Sequence, residues 1–235
     1  MYQFDKIDYK HFFRFDKILV RSKIWERLSY AAKAVLPVIA TFSSPKNGGW
    51  CWPSEQTIGA LAGLTEKGVR AGTEELAEVL TNFKIARELT PRGRYHKRYW
   101  FGGIGEPEKG RYFFFMRSVL DGGNWRLLSG TGKALYPVMR TFSFLDYGAD
   151  EDQLELTMRD YDTCTAEPEV LMDFSGITRN SYPAALNSLV DRDLISAAGA
   201  DDEGRQRWKV WAVPERHFKR EYLNKQLAGM SKTTG

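Results

Sequence analysis

Apolar positions recur at helical spacing in the stretch that follows Ser29. They are Ala32, Val35, Leu36 and Ile39. Intervals of three and four residues predict an amphipathic helix, and a serine directly before such a stripe is a common N-cap. We therefore predict a helix that begins after Ser29 and runs to about Phe42.

Two further helices are predicted after a glycine break at residues 47–49. Pro53-Ser54 opens the second helix, because a serine N-cap beside a proline marks a helix start. After a short turn, Thr65 is expected to cap a third helix that runs from Glu66 to about Val79. The second and third helices, with their tight turn, predict a helix–turn–helix.

A hairpin is predicted to follow the third helix. β-Branched and aromatic residues over 85–89 and 95–101 flank a Pro-Arg-Gly turn, which favours two antiparallel strands. A helix, a helix–turn–helix and then a hairpin is the order of a winged helix–turn–helix.

The same pattern returns one hundred residues later, with ten identities in a nineteen-residue window. In the first copy these residues are Trp25, Leu28, Ser29, Lys33, Ala34, Pro37, Val38, Thr41, Phe42 and Ser43. In the second they are Trp125, Leu128, Ser129, Lys133, Ala134, Pro137, Val138, Thr141, Phe142 and Ser143. Beyond a linker the offset becomes 113, so that Gly63 matches Gly176 and Cys51 matches Cys164. Self-similarity of this kind indicates a duplicated module.

The second copy is predicted to follow the same order. Its first helix starts after Ser129, and its second helix includes residues 169–174. Thr178 is expected to cap a third helix from Arg179 to about Val190. A hairpin over 194–198 and 206–213 completes the copy.

The predicted fold class is α+β, mainly α, with two tandem winged helix–turn–helix domains related by internal duplication. The first domain covers residues 1–106, with its helix–turn–helix at about 54–79 and its wing at about 84–101. The second covers 107–213, with an acidic insertion at about 146–169, a helix–turn–helix at about 167–190 and a wing at about 194–213. A basic helix and tail is expected over 214–235.

Composition narrows the class of protein. With 235 residues, 43% of them hydrophobic and 27% charged, the chain is long enough for two globular domains. Neither a membrane-spanning run nor a signal peptide is recognisable, and two cysteines favour a reducing compartment. The sequence therefore predicts a cytoplasmic protein without a membrane partner.

A family resemblance appears at this point. The segment GGWCWPSEQTIGALAGLTEKGVRAGTEEL resembles the helix–turn–helix of plasmid and phage replication initiators and replisome organisers. The segments FFRFDKILVRSKIWERLSYAAKAVL and YFFFMRSVLDGGNWRLLSGTGKALY are similar to the aromatic strand, short loop and Leu-Ser first helix of those proteins. The resemblance covers nearly the whole chain apart from its tails. It implies the winged-helix fold, double-stranded DNA as partner and a role in replication.

Candidate base-reading residues lie on the third helix of the first copy, since a helix–turn–helix inserts its second helix into the major groove. They are Thr65, Glu66, Lys67, Arg70 and Glu74. Arg70 and Lys67 suit guanine edges, and the two acids suit cytosine N4. The alternative is a solvated helix face with internal ion pairs such as Arg70 with Glu74.

The wing of the first copy is strongly basic. Six cations oppose the single acid Glu88; they are Lys84, Arg87, Arg92, Arg94, Lys97 and Arg98, and His96 lies among them. A basic hairpin beside a recognition helix suits phosphate contacts, or insertion of Arg92 or Arg94 into the minor groove. An ordinary charged hairpin is the alternative.

The second copy offers a weaker set of candidates: Arg179, Asn180, Ser181, Asn187, Arg205 and Arg207. Asn180 suits adenine. However, Pro183 sits where a helix from Arg179 tolerates proline poorly, and the wing tip at 199–204 is acidic. This copy is therefore expected to read DNA weakly, or to serve packing or oligomerisation.

The insertion carries nine acids between Asp146 and Glu169 against one base, Arg159. Such a run is usually a solvated loop. A second hypothesis is that it docks a basic partner, or covers a DNA-binding face until the target displaces it.

No catalytic, metal or cofactor site is predicted. Gly130-Thr131-Gly132-Lys133-Ala134 resembles part of a phosphate-binding loop, but Leu127 and Ala134 occupy positions where that motif requires Gly and Ser or Thr. The histidines and cysteines lack zinc-ligand spacing. The two cysteines are expected to fill small buried sites.

The sequence thus favours a sequence-specific DNA-binding protein that is not an enzyme, with replication initiation as its first role. Helicases or their loaders, and a second copy of the chain, are further candidate partners. A transcriptional regulator built from the same modules is the alternative. A third reading is a winged-helix module that binds protein instead of DNA.

Overall fold

A computed structural model describes residues 12–43, 45–89, 93, 95–102, 112–144 and 161–212. In the first half its elements are β1 (Phe12–Asp16), α1 (Ile18–Arg21), α2 (Ile24–Arg27), α3 (Tyr30–Phe42), β2 (Trp50–Cys51), α4 (Glu55–Ala62), α5 (Glu66–Val79), β3 (Phe83–Leu89) and β4 (Tyr95–Phe101). In the second half they are β5 (Tyr112–Met116), α6 (Ser118–Asp121), α7 (Asn124–Leu127), α8 (Gly130–Phe142), β6 (Ser143–Phe144), β7 (Tyr161–Cys164), α9 (Pro168–Ser175), α10 (Tyr182–Val190), β8 (Ile195–Ala200) and β9 (Gln206–Trp211). The fold is mixed, with helices and antiparallel sheets.

The predicted helix starts of the first half are confirmed by their caps. The side chains of Ser29, Ser54 and Thr65 accept hydrogen bonds from backbone N–H groups three residues on, at 3.2, 3.0 and 3.3 Å. Each bond satisfies one of the amides that a helix start leaves without a partner. The predicted hairpin is also present, although β3 begins two residues earlier than expected, at Phe83.

The predicted start of the last helix in the second half is wrong. Residues 178–181 form a turn in which the Ser181 amide donates to the Thr178 carbonyl at 3.0 Å, and α10 begins only at Tyr182. Pro183 explains the difference, because it lacks an N–H and would clash inside a helix that started at Arg179. With the later start it lies in the first turn, where its missing donor costs nothing.

The two halves exchange equivalent contacts at their entry segments. Strands β1 and β5 pair antiparallel with Arg14 opposite Phe114, and these residues are themselves equivalent by the repeat of one hundred. The Trp25 indole donates to the Ala134 carbonyl at 2.9 Å, and the Trp125 indole donates to the Ala34 carbonyl at 2.9 Å. Reciprocal contacts of this kind are the pattern that a two-fold axis produces.

Two glycines make a second pair of reciprocal contacts. Gly63 ends α4 against the Arg126 carbonyl, and Gly176 ends α9 against the Glu26 carbonyl. Both glycines have positive φ, +70° and +69°, and a Cβ on either would collide with the facing carbonyl oxygen. The C-terminal end of α4 therefore contacts α7, and the C-terminal end of α9 contacts α2. Buried apolar side chains of both halves form one continuous cluster.

Two equivalent lysines are buried in this packing. Lys33 donates to the carbonyls of Glu26 and Ser175 at 3.0 Å each, so it ties the two halves together. Lys133 donates to the Arg126 and Leu128 carbonyls at 3.4 and 2.5 Å. Since it lies inside α8 and its ammonium is occupied by backbone oxygens, it is not part of a phosphate-binding loop.

Both cysteines are buried and free, as predicted. Burial raises the pKa of each thiol to about 11, so neither is a ready nucleophile near neutral pH. Within the described ranges, no helix has both the length and the apolar character needed to span a bilayer.

The glycine contacts give a stability prediction with an internal control. Gly63→Ala and Gly176→Ala should each lower the free energy of unfolding by about 3 kcal/mol or more, since the methyl group must push the halves apart. Gly48 also has positive φ, +61°, but has open space around it. Gly48→Ala should therefore cost only about 1 kcal/mol, the backbone strain alone. Equal losses for the three variants in urea denaturation would contradict the close approach.

The buried lysine predicts a pH dependence. Burial lowers the pKa of Lys33 from 10.5 to about 8, against the opposing charges of Glu26 and Glu75. Because the unfolded chain then binds the proton more tightly than the folded protein does, stability should rise as pH rises above about 8. Between about pH 8 and about pH 10, wild type should gain about 2 kcal/mol relative to Lys33→Met. Lys67→Met, which removes an exposed lysine, should instead stay parallel to wild type in urea titrations.

Candidate nucleic-acid interface

The exposed face of α5 carries the predicted base-reading residues. Thr65, Glu66, Lys67, Arg70 and Glu74 are all exposed. Glu66, Arg70 and Glu74 recur every four residues and Lys67 precedes Arg70 by three, so these side chains share one side of the helix. The opposite side buries Val69, Gly72, Thr73 and Leu76 against the core. The helix can therefore present this face to a groove without disturbing its packing.

One face of the hairpin continues this surface. Arg87 lies directly opposite Lys97 in the β3–β4 ladder, and both share a face with the buried Phe83 and Tyr99. Beyond its buried part this face becomes accessible: Arg87 is exposed, Lys97 is partly exposed, and the pair nearest the tip, Leu89 and Tyr95, is exposed although apolar. Lys97 lies beside the N-terminal end of α4.

The other candidate cations of the hairpin lie on its outer face. His96 and Arg98 flank Glu88 at 3.7 and 3.5 Å, and Arg98 also lies 4.3 Å from the centre of the Trp50 ring. These interactions partly satisfy both side chains. The structure therefore does not bring His96 and Arg98 together with Arg70.

Glu55, at the start of α4, joins the helix and the hairpin. One carboxylate oxygen accepts from Arg70 Nε at 2.7 Å, and the other accepts from Lys97 Nζ at 2.8 Å. Arg70 also contacts Glu66 at 3.3 Å. The predicted pairing of Arg70 with Glu74 is therefore replaced by pairs with Glu55 and Glu66, while the guanidinium side chain stays 54% exposed.

The electrostatics of this cluster favour its charged form. Burial alone would raise the pKa of Glu55, but hydrogen bonds from Lys97 and Arg70 outweigh that effect and lower it. The carboxylate in turn raises the pKa of Arg70. Glu55 and Arg70 therefore stabilise each other in their charged forms, and Glu66 adds a second carboxylate beside Arg70.

The second half presents few cations at the positions predicted for its helix–turn–helix. Arg179 and Asn180 are exposed, but they lie in the turn before α10 instead of on the helix. Ser181 is half-buried and its hydroxyl donates to the Thr178 carbonyl at 2.9 Å. Asn187 is exposed on α10 itself.

The wing of the second half is largely neutralised. Arg205 contacts Asp201 at 2.6 Å, Glu203 at 2.9 Å and Glu167 at 3.8 Å. Arg207 on β9 is exposed. Arg205 is still 39% exposed but is paired with acids, whereas Arg207 has no acid within ion-pair distance among the described residues.

Several predicted features lie outside the described residues. They are Arg92 and Arg94 at the tip of the first wing, most of the acidic insertion, and the basic tail from residue 213 onward. Among the residues that the structure does describe, no cluster of histidine, cysteine and acidic side chains is arranged to hold a metal ion.

Glu55 is the site residue that the sequence did not reveal. It was visible only as the first residue after the Ser54 cap, because its partners are 15 and 42 positions away in other elements. A prediction would have needed the angle between α4, α5 and the hairpin, and no local pattern encodes that angle.

A scan against protein-family models gives no match, and a search of curated proteins gives none either.

Proposed function

We propose that this protein is a sequence-specific double-stranded DNA-binding protein with two winged helix–turn–helix modules related by duplication. In this proposal it acts by binding alone, and the first module is the principal reader. The observation that carries the proposal is the collection of Arg70, Arg87 and Lys97 from a helix and a hairpin onto one exposed face.

The chemistry of this face suits duplex DNA. A helix start with an exposed arginine can enter the major groove, where guanine offers two acceptors to a guanidinium group. Arg87 and Lys97 on the adjacent hairpin would meet the phosphates beside that groove. Because both elements pack on the same core, the groove contact and the backbone contact are held in a fixed relation.

The reciprocal contacts between the halves support a particular arrangement of the DNA site. Modules related by a two-fold axis present their recognition helices in opposite directions, so one chain would read an inverted pair of half-sites. The second module offers fewer cations, so its half-site would contribute less specificity. Its covalent attachment still raises the effective concentration and hence the affinity.

Replication initiation on a plasmid, phage or similar element is the role we propose first, because the helix–turn–helix and both entry segments resemble those of such initiators. Helicases or their loaders are the partners that this role implies. A transcriptional regulator would use the same interface, and the position of the target separates the two: repeated sites at an origin, or an operator near a promoter.

A protein-binding role has one observation in its favour. The second module has an acidic wing whose Arg205 is already paired with three acids, and such a surface repels phosphate. In this alternative the second module would contact a protein while the first holds DNA.

Paired arginine variants test the proposed DNA face. Arg87→Ala should weaken binding to every duplex and make the salt dependence shallower by about 0.9 in a plot of log K against log salt, the loss of one phosphate contact. Arg205→Ala also removes one arginine from a wing, but that arginine is held by acids. Arg205→Ala should therefore leave both the affinity and the salt slope close to those of wild type, as measured by fluorescence anisotropy. Equal effects of both variants would refute the assigned face.

Selection from a random duplex library by the full chain tests the function itself. We expect recovery of two inverted half-sites, bound with a dissociation constant on the order of 10⁻⁸ M or tighter at physiological salt. Directly repeated half-sites would contradict the two-fold arrangement. Recovery of no preferred sequence would reject specific DNA binding.

A further inference from the structure

The Arg70–Glu55–Lys97 cluster places an acid between two cations of the proposed DNA face. Glu55 is mostly buried, with 18% of its side chain exposed, while Arg70 remains more than half exposed. Arg87, by contrast, has no acid within ion-pair distance among the described residues. Two of the three cations on this face are therefore already bound to a carboxylate, and one is not.

Glu55 also determines which edge of Arg70 is available. A guanidinium group has five N–H donors in a fixed plane. The Nε donor is taken by Glu55, and one Nη2 donor points to Glu66 at 3.3 Å. Donors on Nη1 and Nη2 remain at the exposed end of the side chain, and such a pair of nitrogens matches the O6 and N7 acceptors of guanine.

The same carboxylate opposes non-specific contacts. A phosphate that approached Arg70 or Lys97 would bring a full negative charge close to the carboxylate beside them and would be repelled by it. Base edges carry no net charge, so their acceptor atoms would meet a weaker repulsion. The cluster therefore penalises backbone contacts at this point more than base contacts.

The second half lacks the whole cluster. By the repeat offset, Pro168 stands at the position of Glu55 and Pro183 at the position of Arg70. Gln206 takes the position of Lys97, because Tyr99 pairs with Cys51 and Trp208 pairs with the equivalent Cys164. The three side chains are thus present together in the first half and absent together from the second.

We propose that Glu55 is a specificity-determining residue of the first module, and this inference rests on the proposed DNA-binding function. Its carboxylate holds the exposed end of Arg70 toward a base edge, and it keeps Arg70 and Lys97 from binding phosphates indiscriminately. Glu55 itself acts through Arg70 and Lys97 and is a positioning residue.

The test compares Glu55→Gln with wild type, using the full chain, the duplex recovered by selection and a scrambled duplex of the same composition. Glutamine removes the charge at nearly constant size. Binding to the scrambled duplex should tighten about tenfold, with a salt slope steeper by about 0.9 for each cation that turns to a phosphate. Binding to the selected duplex should tighten less, so that discrimination falls about tenfold.

Glu78→Gln is the matched control, since Glu78 is an exposed acid near the other end of α5 and the variant has the same net charge. It should change both affinities equally and leave discrimination intact. A Glu55→Gln protein that behaves like Glu78→Gln overturns the inference while the proposed function stands. Failure of wild type to prefer the selected duplex overturns both.

Glu55→Asp keeps the test decisive if Glu55→Gln does not fold, as judged by circular dichroism. Aspartate keeps the charge and suits a helix start, but its shorter side chain cannot span both cations. Discrimination should then fall between the wild-type value and that expected for Glu55→Gln. Discrimination equal to that of wild type would overturn the inference.

Discussion

The reciprocal hydrogen bonds of Trp25 and Trp125 are the constraint on which the rest of the structure depends. Each indole is fully buried and donates to a backbone carbonyl of the opposite half, Trp25 to α8 and Trp125 to α3. A buried donor or acceptor that loses its partner carries a cost of about 1–3 kcal/mol, so neither bond can be given up without a penalty. The direction of α3 relative to α8 is therefore fixed, and α4 and α5 pack on α3 while α9 and α10 pack on α8.

A shared scaffold does not make the two halves equivalent at the surface. The buried positions repeat, whereas the exposed ones diverge: the cluster around Glu55 in the first half becomes two prolines and a glutamine in the second. Core residues must satisfy the same packing in both halves, while surface residues are free to differ. This division is consistent with the proposal that only the first half is the principal reader of DNA.

Local features of the chain could be predicted from sequence, and features that depend on distant elements could not. The caps at Ser29 and Thr65 and the hairpin follow from neighbouring residues, so pattern and propensity identify them. The start of α10 lies three residues later than the cap pattern predicts, because Pro183 excludes a helix that begins at Arg179. The pairing of β1 with β5 and the position of Glu55 depend on how separate elements pack, and no short-range periodicity records such contacts.

An acid inside a basic interface has a physical rationale when many competing sites surround one target. Free cations raise affinity for every phosphate equally, so they increase binding to the competitors as much as to the target. Pairing two of three cations with one carboxylate sacrifices some of that general attraction. What remains is an arginine whose orientation is fixed before binding, so less side-chain freedom is lost when it meets a base. In the proposed function, affinity that depends on orientation in this way is restricted to DNA sequences that offer the right acceptors, while Arg87 supplies attraction to the phosphate backbone.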